Sequence, residues 1–271
     1  MGLSEITRFG ALDDSEIDLA EAALLLSSLD HPRVSVAQYR AFLDEVAAEV
    51  FELGLNAERA TEQATVLQAV LAGAFDFAGD RETYDDPANA NLIDVIDRRR
   101  GLPVALSILY ISAARAVGWA AYGINTPSHF LIRIGNGSNA VIQDPFSSGA
   151  VLNDDDVEVL LRSVAGPELY MNPLHMEPLS NRAILVRLLN NIAWRAEEGG
   201  DRERALIIHE RMTAVAPAFS DLWWERARLE QELGRFSAAR GSLTAMLETT
   251  RDARMSLKIR QALERLARSI N

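Results

Sequence analysis

The sequence predicts an α+β domain followed by an all-α helical repeat, and three patterns support this prediction. Apolar residues recur at helical spacing through most of the first 117 residues. Three short strand-like runs lie between residues 120 and 143. From about residue 181 the sequence is helical throughout and repeats every 34 residues. We therefore expect domains at 1–170 and 181–271, with a proline-containing linker over 166–180.

The first domain is predicted to begin with helices. Three segments have apolar residues at helical spacing: 15–29, 36–53 and 57–75. Ser15 is the expected N-cap of the first segment, and Gly54 ends the second. Asp86-Pro87 marks a turn in the polar connection that follows, so the next helix is expected only after it.

A buried helix is expected at the centre of this domain. A short helix starts near Leu92 and ends by Gly101, and Pro103 suits the first position of the next one. The segment 103–117 is apolar on nearly every side, which indicates burial. Three strand-like runs follow, making a small antiparallel sheet: Ala120–Ile124, Phe130–Ile134 and Ala140–Gln143. Asp154–Asp156 then favour a helix start, with a metal site as the alternative.

Composition limits the classes of function. The chain has 271 residues and no cysteine, so it holds neither a disulfide nor a thiol nucleophile. The net charge of −12 argues against a nucleic-acid partner. Residues 1–175 carry 26 acidic and 11 basic residues, whereas residues 176–271 carry 13 and 16. No apolar run is long enough to span a bilayer, and we expect a cytoplasmic protein without a membrane partner.

A possible base and its orienting acid lie on neighbouring predicted strands. His129 opens the second strand-like run, and Asp144 follows the third. Antiparallel pairing of these runs would place the two side chains together, as in a catalytic triad. A buried histidine also needs hydrogen-bond partners, so a purely structural pair is the other interpretation.

Two family resemblances rest on these segments. The segments RRRGLPVALSILY, PSHFLIR and DPF resemble the transglutaminase-like superfamily, and most closely its bacterial SirB-type family, over residues 15–170. The 34-residue period resembles the tetratricopeptide repeat. It aligns identical residues: Leu188 with Leu222, Ala193 with Ala227, Glu198 with Glu232, Gly200 with Gly234, Ala205 with Ala239 and Met212 with Met246. The first resemblance implies a papain-like fold with a cysteine, histidine and aspartate triad.

This resemblance places a proline at the nucleophile position. The superfamily helix ends with Arg-x-x-Gly about 15 residues after its cysteine, and here that motif is Arg115 to Gly118. Counting back leads to Pro103, while His129 and Asp144 match the other two positions. Proline has neither a nucleophile nor an N–H. A hydroxyl of Ser107, one helical turn later, or an activated water is the alternative nucleophile.

The cluster Arg98, Arg99 and Arg100 has two interpretations. It is either a solvated helix end or a grip for an anionic ligand next to His129. The other histidines, His31, His175 and His209, lack metal-ligand spacing, so no metal or cofactor is expected.

The preferred hypothesis from sequence is a non-catalytic protein that binds a protein or peptide through the helical repeat. It would act as a regulator or adaptor. The alternatives are a hydrolase and a sensor of a small anionic ligand. Nothing in the sequence indicates an oligomeric state.

Overall fold

The structure, a computed structural model, describes residues 3–166, 168 and 176–270. Contacts divide these residues into two units. One unit consists of residues 14–184, and the other combines the residues before 14 with those from 185 onward. The sequence prediction had assigned residues 1–13 to the first domain. Their helix α1 (Leu3–Ala11) instead packs against the repeat, because Ile6 and Phe9 are buried there.

The unit of residues 14–184 contains a group of helices around a buried one. They are α2 (Leu19–Ser28), α3 (Val36–Leu53), α4 (Ala60–Leu67), α5 (Leu92–Arg98), α6 (Pro103–Ala116) and α7 (Asp154–Ala165). Helix α6 is the buried one, and it packs against α2, α3, α4 and α5. This agrees with its apolar sequence.

Two helix starts differ from the sequence prediction. Helix α2 begins at Leu19 because Asp18, and not Ser15, caps it by accepting a hydrogen bond from the Glu21 N–H at 3.0 Å. Residues Asp14–Glu16 form a separate 3-10 turn. The third predicted helix begins at Ala60, and it continues beyond α4 as a π-helix over Gln68–Ala74.

The antiparallel sheet has four strands, which pair in the order in which they follow along the chain. Its strands are β3 (Ala121–Ile124), β4 (Leu131–Ile134), β5 (Val141–Asp144) and β6 (Ala150–Leu152). In this register Ile132 lies opposite Gln143, and Asp144 lies opposite Ala150. The sequence patterns missed β6 and a separate parallel pair, β1 (Ala78–Gly79) with β2 (Arg100–Gly101). Segments of two or three residues are too short to show a period.

The second unit contains the repeat. Its helices are α8 (Asn181–Glu198), whose first residues belong to the other unit, α9 (Arg202–Val215), α10 (Ser220–Glu232), α11 (Phe236–Thr249) and α12 (Ala253–Ile270). Gly200 and Gly234 occupy the same turn of the two helix pairs, with φ of 78° and 72°. Residues that carry a side chain rarely adopt this left-handed backbone conformation, which explains a glycine at both positions. In the part of the chain that is described, no helix combines the length and the apolar character needed to cross a bilayer.

Candidate functional site

His129 and Asp144 lie side by side, two residues before β4 and at the end of β5. The His129 Nε2 and Asp144 Oδ1 atoms are 3.0 Å apart, and the side chains are 7% and 1% exposed. A short turn sets the direction of the imidazole. In this turn Ser128 has a left-handed φ of 58°, and the Thr126 hydroxyl donates to the His129 carbonyl at 2.9 Å. The pair is therefore held by backbone geometry as well as by its own hydrogen bond.

Asp144 is surrounded by donors. Its Oδ1 also accepts a hydrogen bond from the Phe146 N–H at 3.0 Å. Burial alone raises the pKa of Asp144. The hydrogen bond and charge of His129 oppose this effect, and they are joined by hydrogen bonds from Ser147 and the Phe146 backbone. The net result is a pKa below the usual value. Asp144 is thus ionised at neutral pH and fixes the orientation of the ring.

The Phe146 ring covers this pair. It meets the His129 ring edge to face, with centroids 5.9 Å apart, and the Tyr84 ring at 5.8 Å. The Arg81 guanidinium carbon lies 5.0 Å from the centroid of the Phe146 ring, and its Nη2 donates to the Ser147 hydroxyl at 3.3 Å. Sequence reasoning missed Arg81 and Tyr84, because they lie in a polar connection without a period. Phe146 was quoted only as part of the DPF motif.

Helix α6 presents a proline and buried hydroxyls. Pro103 is its first residue, and the N–H of the preceding Leu102 donates to the Asn89 carbonyl at 2.8 Å. Ser107 is fully buried, and its hydroxyl has no hydrogen-bond partner among the described residues. Ser107 therefore makes no hydrogen bond to His129. The Tyr110 hydroxyl also has no hydrogen-bond partner among the described residues. Burial raises the pKa of Tyr110, and the negative charge of Asp144 raises it further.

The three consecutive arginines have contacts of their own. Arg98 Nη2 lies 3.0 Å from Asp80 Oδ2, and Arg98 Nη1 donates to Asn89 Oδ1 at 3.2 Å. Arg100 donates to the Asp76 carbonyl at 2.6 Å.

Arg99 differs from both neighbours because it contacts two aromatic rings. Its guanidinium carbon lies 4.2 Å from the centroid of the Phe42 ring and 4.9 Å from that of Phe77, and burial lowers its pKa. The arginine that contacts Phe146, the aromatic cover of His129, is Arg81. The three predicted arginines have the other contacts given above.

Of the other histidines, two lie among the described residues. His31 Nε2 lies 3.1 Å from Asp94 Oδ2, and His209 is buried in α9, where burial lowers its pKa. His175 lies outside the described residues, as does part of the predicted linker. Within the described ranges no three His, Asp or Glu side chains are grouped so that they could hold a metal ion. Asp156 instead completes a capping box with Asn153 at the start of α7.

The arrangement can orient an imidazole and support its positive charge, but the chain lacks a thiol to activate. The buried helix α6 packs against β3, β4 and the turn that follows Asp144, and the chain belongs to the transglutaminase-like superfamily. The model of that family matches residues 37–190. A tetratricopeptide-repeat model matches residues 189–264.

The relatives include proteins named UPF0162. One from Xylella fastidiosa is 26% identical over 244 residues, which cover 88% of this chain and 85% of the relative. One from Pseudomonas aeruginosa is 27% identical over 249 residues, covering 92% and 91%. The mouse F-box only protein 21 is 26% identical over 186 residues, covering 64% of this chain and 29% of that protein.

Proposed function

We propose that this chain is a non-catalytic member of its superfamily that acts by binding a protein or peptide through the helical repeat, as a regulator or adaptor. The observation that carries the proposal is Pro103 at the first position of α6 in a chain without cysteine. The His129–Asp144 pair then serves to hold β4 and β5 together. Its hydrogen bond and the cover by Phe146 support this structural role.

The alternative nucleophile lacks the contact that it would need. A serine is activated when a base accepts its proton within hydrogen-bond distance. The Ser107 hydroxyl is fully buried and has no such partner among the described residues. An anionic ligand held by Arg98 and Arg100 would have to compete with Asp80 and Asp76.

The repeat unit exposes apolar side chains of the kind that partners bind. Trp194 on α8 is 54% exposed and Leu257 on α12 is 59% exposed, with Ile207 and Phe236 also at the surface. Tryptophan dominates the energetics of many protein interfaces. Stacked helix pairs offer extended surfaces for such binding.

The absence of catalysis is tested on the full chain. Ammonia release from a glutamine-containing peptide and hydrolysis of peptide amides are measured for the wild type and for His129→Ala. We expect both proteins to match the buffer blank. Turnover by the wild type that His129→Ala abolishes, while circular dichroism shows a folded chain, would establish an enzyme and refute the proposal.

The binding role is tested with surface variants that leave the fold intact. A partner captured by the wild type should be lost in Trp194→Asp or Leu257→Asp. The matched control is Val159→Asp, because Val159 is an exposed apolar residue of α7, outside the repeat. Loss in the control together with retention in both repeat variants would place the binding surface elsewhere.

A further inference from the structure

A cavity of about 610 Å³ lies in the unit of residues 14–184, where parts of α2, α3 and α6 line it. Its volume falls in the range of about 300–1,000 Å³ that is usual for sites of small organic ligands. Neither His129 nor Asp144 lines it, so it is separate from the site described above. Much of its wall is apolar and consists of Ile17, Leu19, Leu43, Val46, Leu109 and Ala113.

Arg115 lines this cavity near the end of α6, and its guanidinium is held in one orientation. Its Nε donates to the Ala121 carbonyl at 2.9 Å, and its Nη1 donates to Asn181 Oδ1 at 2.8 Å. Within the described part of the chain Nη2 has no hydrogen-bond partner, and Arg115 forms no ion pair. Burial lowers the pKa of Arg115, and nearby acidic side chains oppose this effect only in part. An anionic group of a ligand would therefore complete both the hydrogen bonds and the charge balance of Arg115.

Ser112 adds a second donor to the same wall. It lines the cavity three residues before Arg115, so the two side chains lie on one face of α6. The Ser112 hydroxyl oxygen is buried and has no hydrogen-bond partner among the residues that the structure describes. A carboxylate that accepts hydrogen bonds from Arg115 and Ser112 would satisfy both groups.

The other charged residues of the lining include two carboxylates without a cationic partner. Asp18 and Asp44 are exposed, and neither forms an ion pair with a described residue. Glu21 and Arg40 also line the cavity, but Arg40 Nε donates to Glu21 Oε2 at 2.8 Å. Apart from that pair, the lining offers one cation and two anions. This distribution is complementary to a ligand that carries charges of both signs.

Other classes of ligand match the lining less well. Asp18 and Asp44 would repel the additional negative charges of a phosphate or a nucleotide. A simple amine would leave Arg115 and Ser112 without an acceptor. A metal ion needs a cluster of ligands, and the described residues contain no group of three His, Asp or Glu side chains that could hold one.

We infer that this cavity binds a small zwitterion with an apolar body, either a free apolar amino acid or an apolar dipeptide. The carboxylate of the ligand accepts hydrogen bonds from Arg115 and Ser112, and its ammonium group faces Asp18 and Asp44. Its side chain packs against the apolar wall. This site goes beyond the proposed function, because it lies outside the helical repeat and requires no protein partner.

The test uses the full chain and isothermal titration calorimetry at neutral pH. The zwitterionic probes are leucine and leucyl-leucine, and the tighter of the two identifies the source of the ligand. We expect a dissociation constant below about 1 mM for that probe. Two analogues of leucine each lack one charge: 4-methylpentanoate has no ammonium group, and 3-methylbutylamine has no carboxylate. Each should bind about tenfold or more weakly than the tighter zwitterion, because hydrogen bonds to a charged group are lost.

Asp44→Asn tests the charge distribution at an exposed position. It should weaken the zwitterion about threefold, because an exposed attraction is lost, but it should strengthen 4-methylpentanoate, because a repulsion is removed. Effects of opposite sign are not expected from a general loosening of the fold. Glu45→Gln is the matched control, since Glu45 is the next residue of α3, is exposed and does not line the cavity. It should change either dissociation constant by less than about twofold.

Ala116→Trp tests the location of the site. Ala116 is exposed and lines the cavity, so an indole there should obstruct the ligand and weaken binding about tenfold or more. Ala41→Trp makes the same change at an exposed alanine of α3 outside the lining, and it should bind as the wild type does. Arg115→Lys keeps the charge but loses the planar fork, and should also weaken binding about tenfold. Ala116→Trp still decides the matter if Arg115→Lys lowers the melting temperature.

Four results would overturn the inference. They are no binding of either zwitterion, equal binding of 4-methylpentanoate, unchanged binding by Ala116→Trp, and changes of the same sign for both probes in Asp44→Asn. None of these assays measures turnover or a contact of the repeat. Their failure would therefore leave the proposed function standing, and failure of the partner assays with Trp194→Asp and Leu257→Asp would leave this site standing.

Discussion

Replacing Gly79 with alanine should loosen the aromatic cover of the His129–Asp144 pair. A methyl group built on Gly79 lies 2.5 Å from Cε2 and 2.6 Å from Cγ of the Phe146 ring. Carbon atoms in contact are normally about 3.5–4.0 Å apart, so the ring or strand β1 must move by about 1 Å. The ring has little room to move, because its other neighbours are His129 and Tyr84.

The expected cost follows from overpacking. Forcing extra volume into a packed site costs about 1–3 kcal/mol, and we expect about 2 kcal/mol here. For a unit of this size this lowers the melting temperature by about 4–8 °C. Thermal unfolding followed by circular dichroism measures the shift. The ¹H–¹³C spectrum of the His129 ring should change in the same variant, since Phe146 lies over it.

Two further variants test whether the clash with Phe146 is the cause of the lost stability. Gly73→Ala is the matched control, because a methyl group there meets only the Gln68 carbonyl at 3.9 Å. It should leave stability unchanged or raise it by up to about 1 kcal/mol. Phe146→Leu in the Gly79→Ala background should cost less than the sum of the single changes. If Gly79→Ala has the same melting temperature as the wild type and the His129 signals do not move, the close contact between Gly79 and the Phe146 ring is not a rigid constraint.

Three further predictions concern the pair, the proline and α1. Asp144→Asn should lose stability at neutral pH, and its deficit should shrink below about pH 4. The lowered pKa of Asp144 stabilises the fold above the unfolded value near 3.9, and this is lost as pH falls through the folded-state pKa. A thiol introduced by Pro103→Cys should have a pKa below about 8.5, since it lies at a helix N-terminus. Phe9→Ala should destabilise the repeat unit by about 3 kcal/mol, because Phe9 is 3% exposed.

Each of these has its own measurement and control. Urea unfolding between pH 3 and 7 compares Asp144→Asn with the wild type, and a deficit that is constant with pH would contradict the assigned pKa direction. Alkylation by iodoacetamide against pH gives the thiol pKa. Ala116→Cys, at the other end of α6, should titrate higher, and equal values would contradict the dipole argument. Glu5→Ala is the exposed control for Phe9→Ala, and equal unfolding of the two would show that α1 is loosely attached.

Local signals in the sequence predicted much of the fold. Helix α3 has the predicted bounds, and α6 starts at Pro103 as expected, because a proline there costs no hydrogen bond. The adjacency of His129 and Asp144 could also be predicted from the sequence, because two antiparallel strands joined by a short turn allow few registers. The glycines that recur every 34 residues correctly predicted the turn within each helix pair.

The remaining features depend on contacts between distant segments. Arg81 and Tyr84 reach Phe146 across more than 60 positions of sequence, and no period marks such a contact. The place of α1 against α9 is decided by burial of Ile6 and Phe9, which a nine-residue helix does not reveal by itself. The partners of Arg98 and Arg100 could not be predicted, because Asp76, Asp80 and Asn89 lie in the preceding connection, where no period marks them.

The attachment of α1 to the repeat gives the chain a particular order of assembly during synthesis. Helix α1 leaves the ribosome before α9, against which it packs and which follows almost 200 residues later. The complete unit of residues 14–184 is synthesised in that interval, and it can fold before α9 is available to pack against α1. Folding of that unit shortens the effective loop between α1 and α9 and so lowers the entropy cost of closing it. The unit that contains α1 and the repeat is therefore completed only after the unit of residues 14–184 has been synthesised.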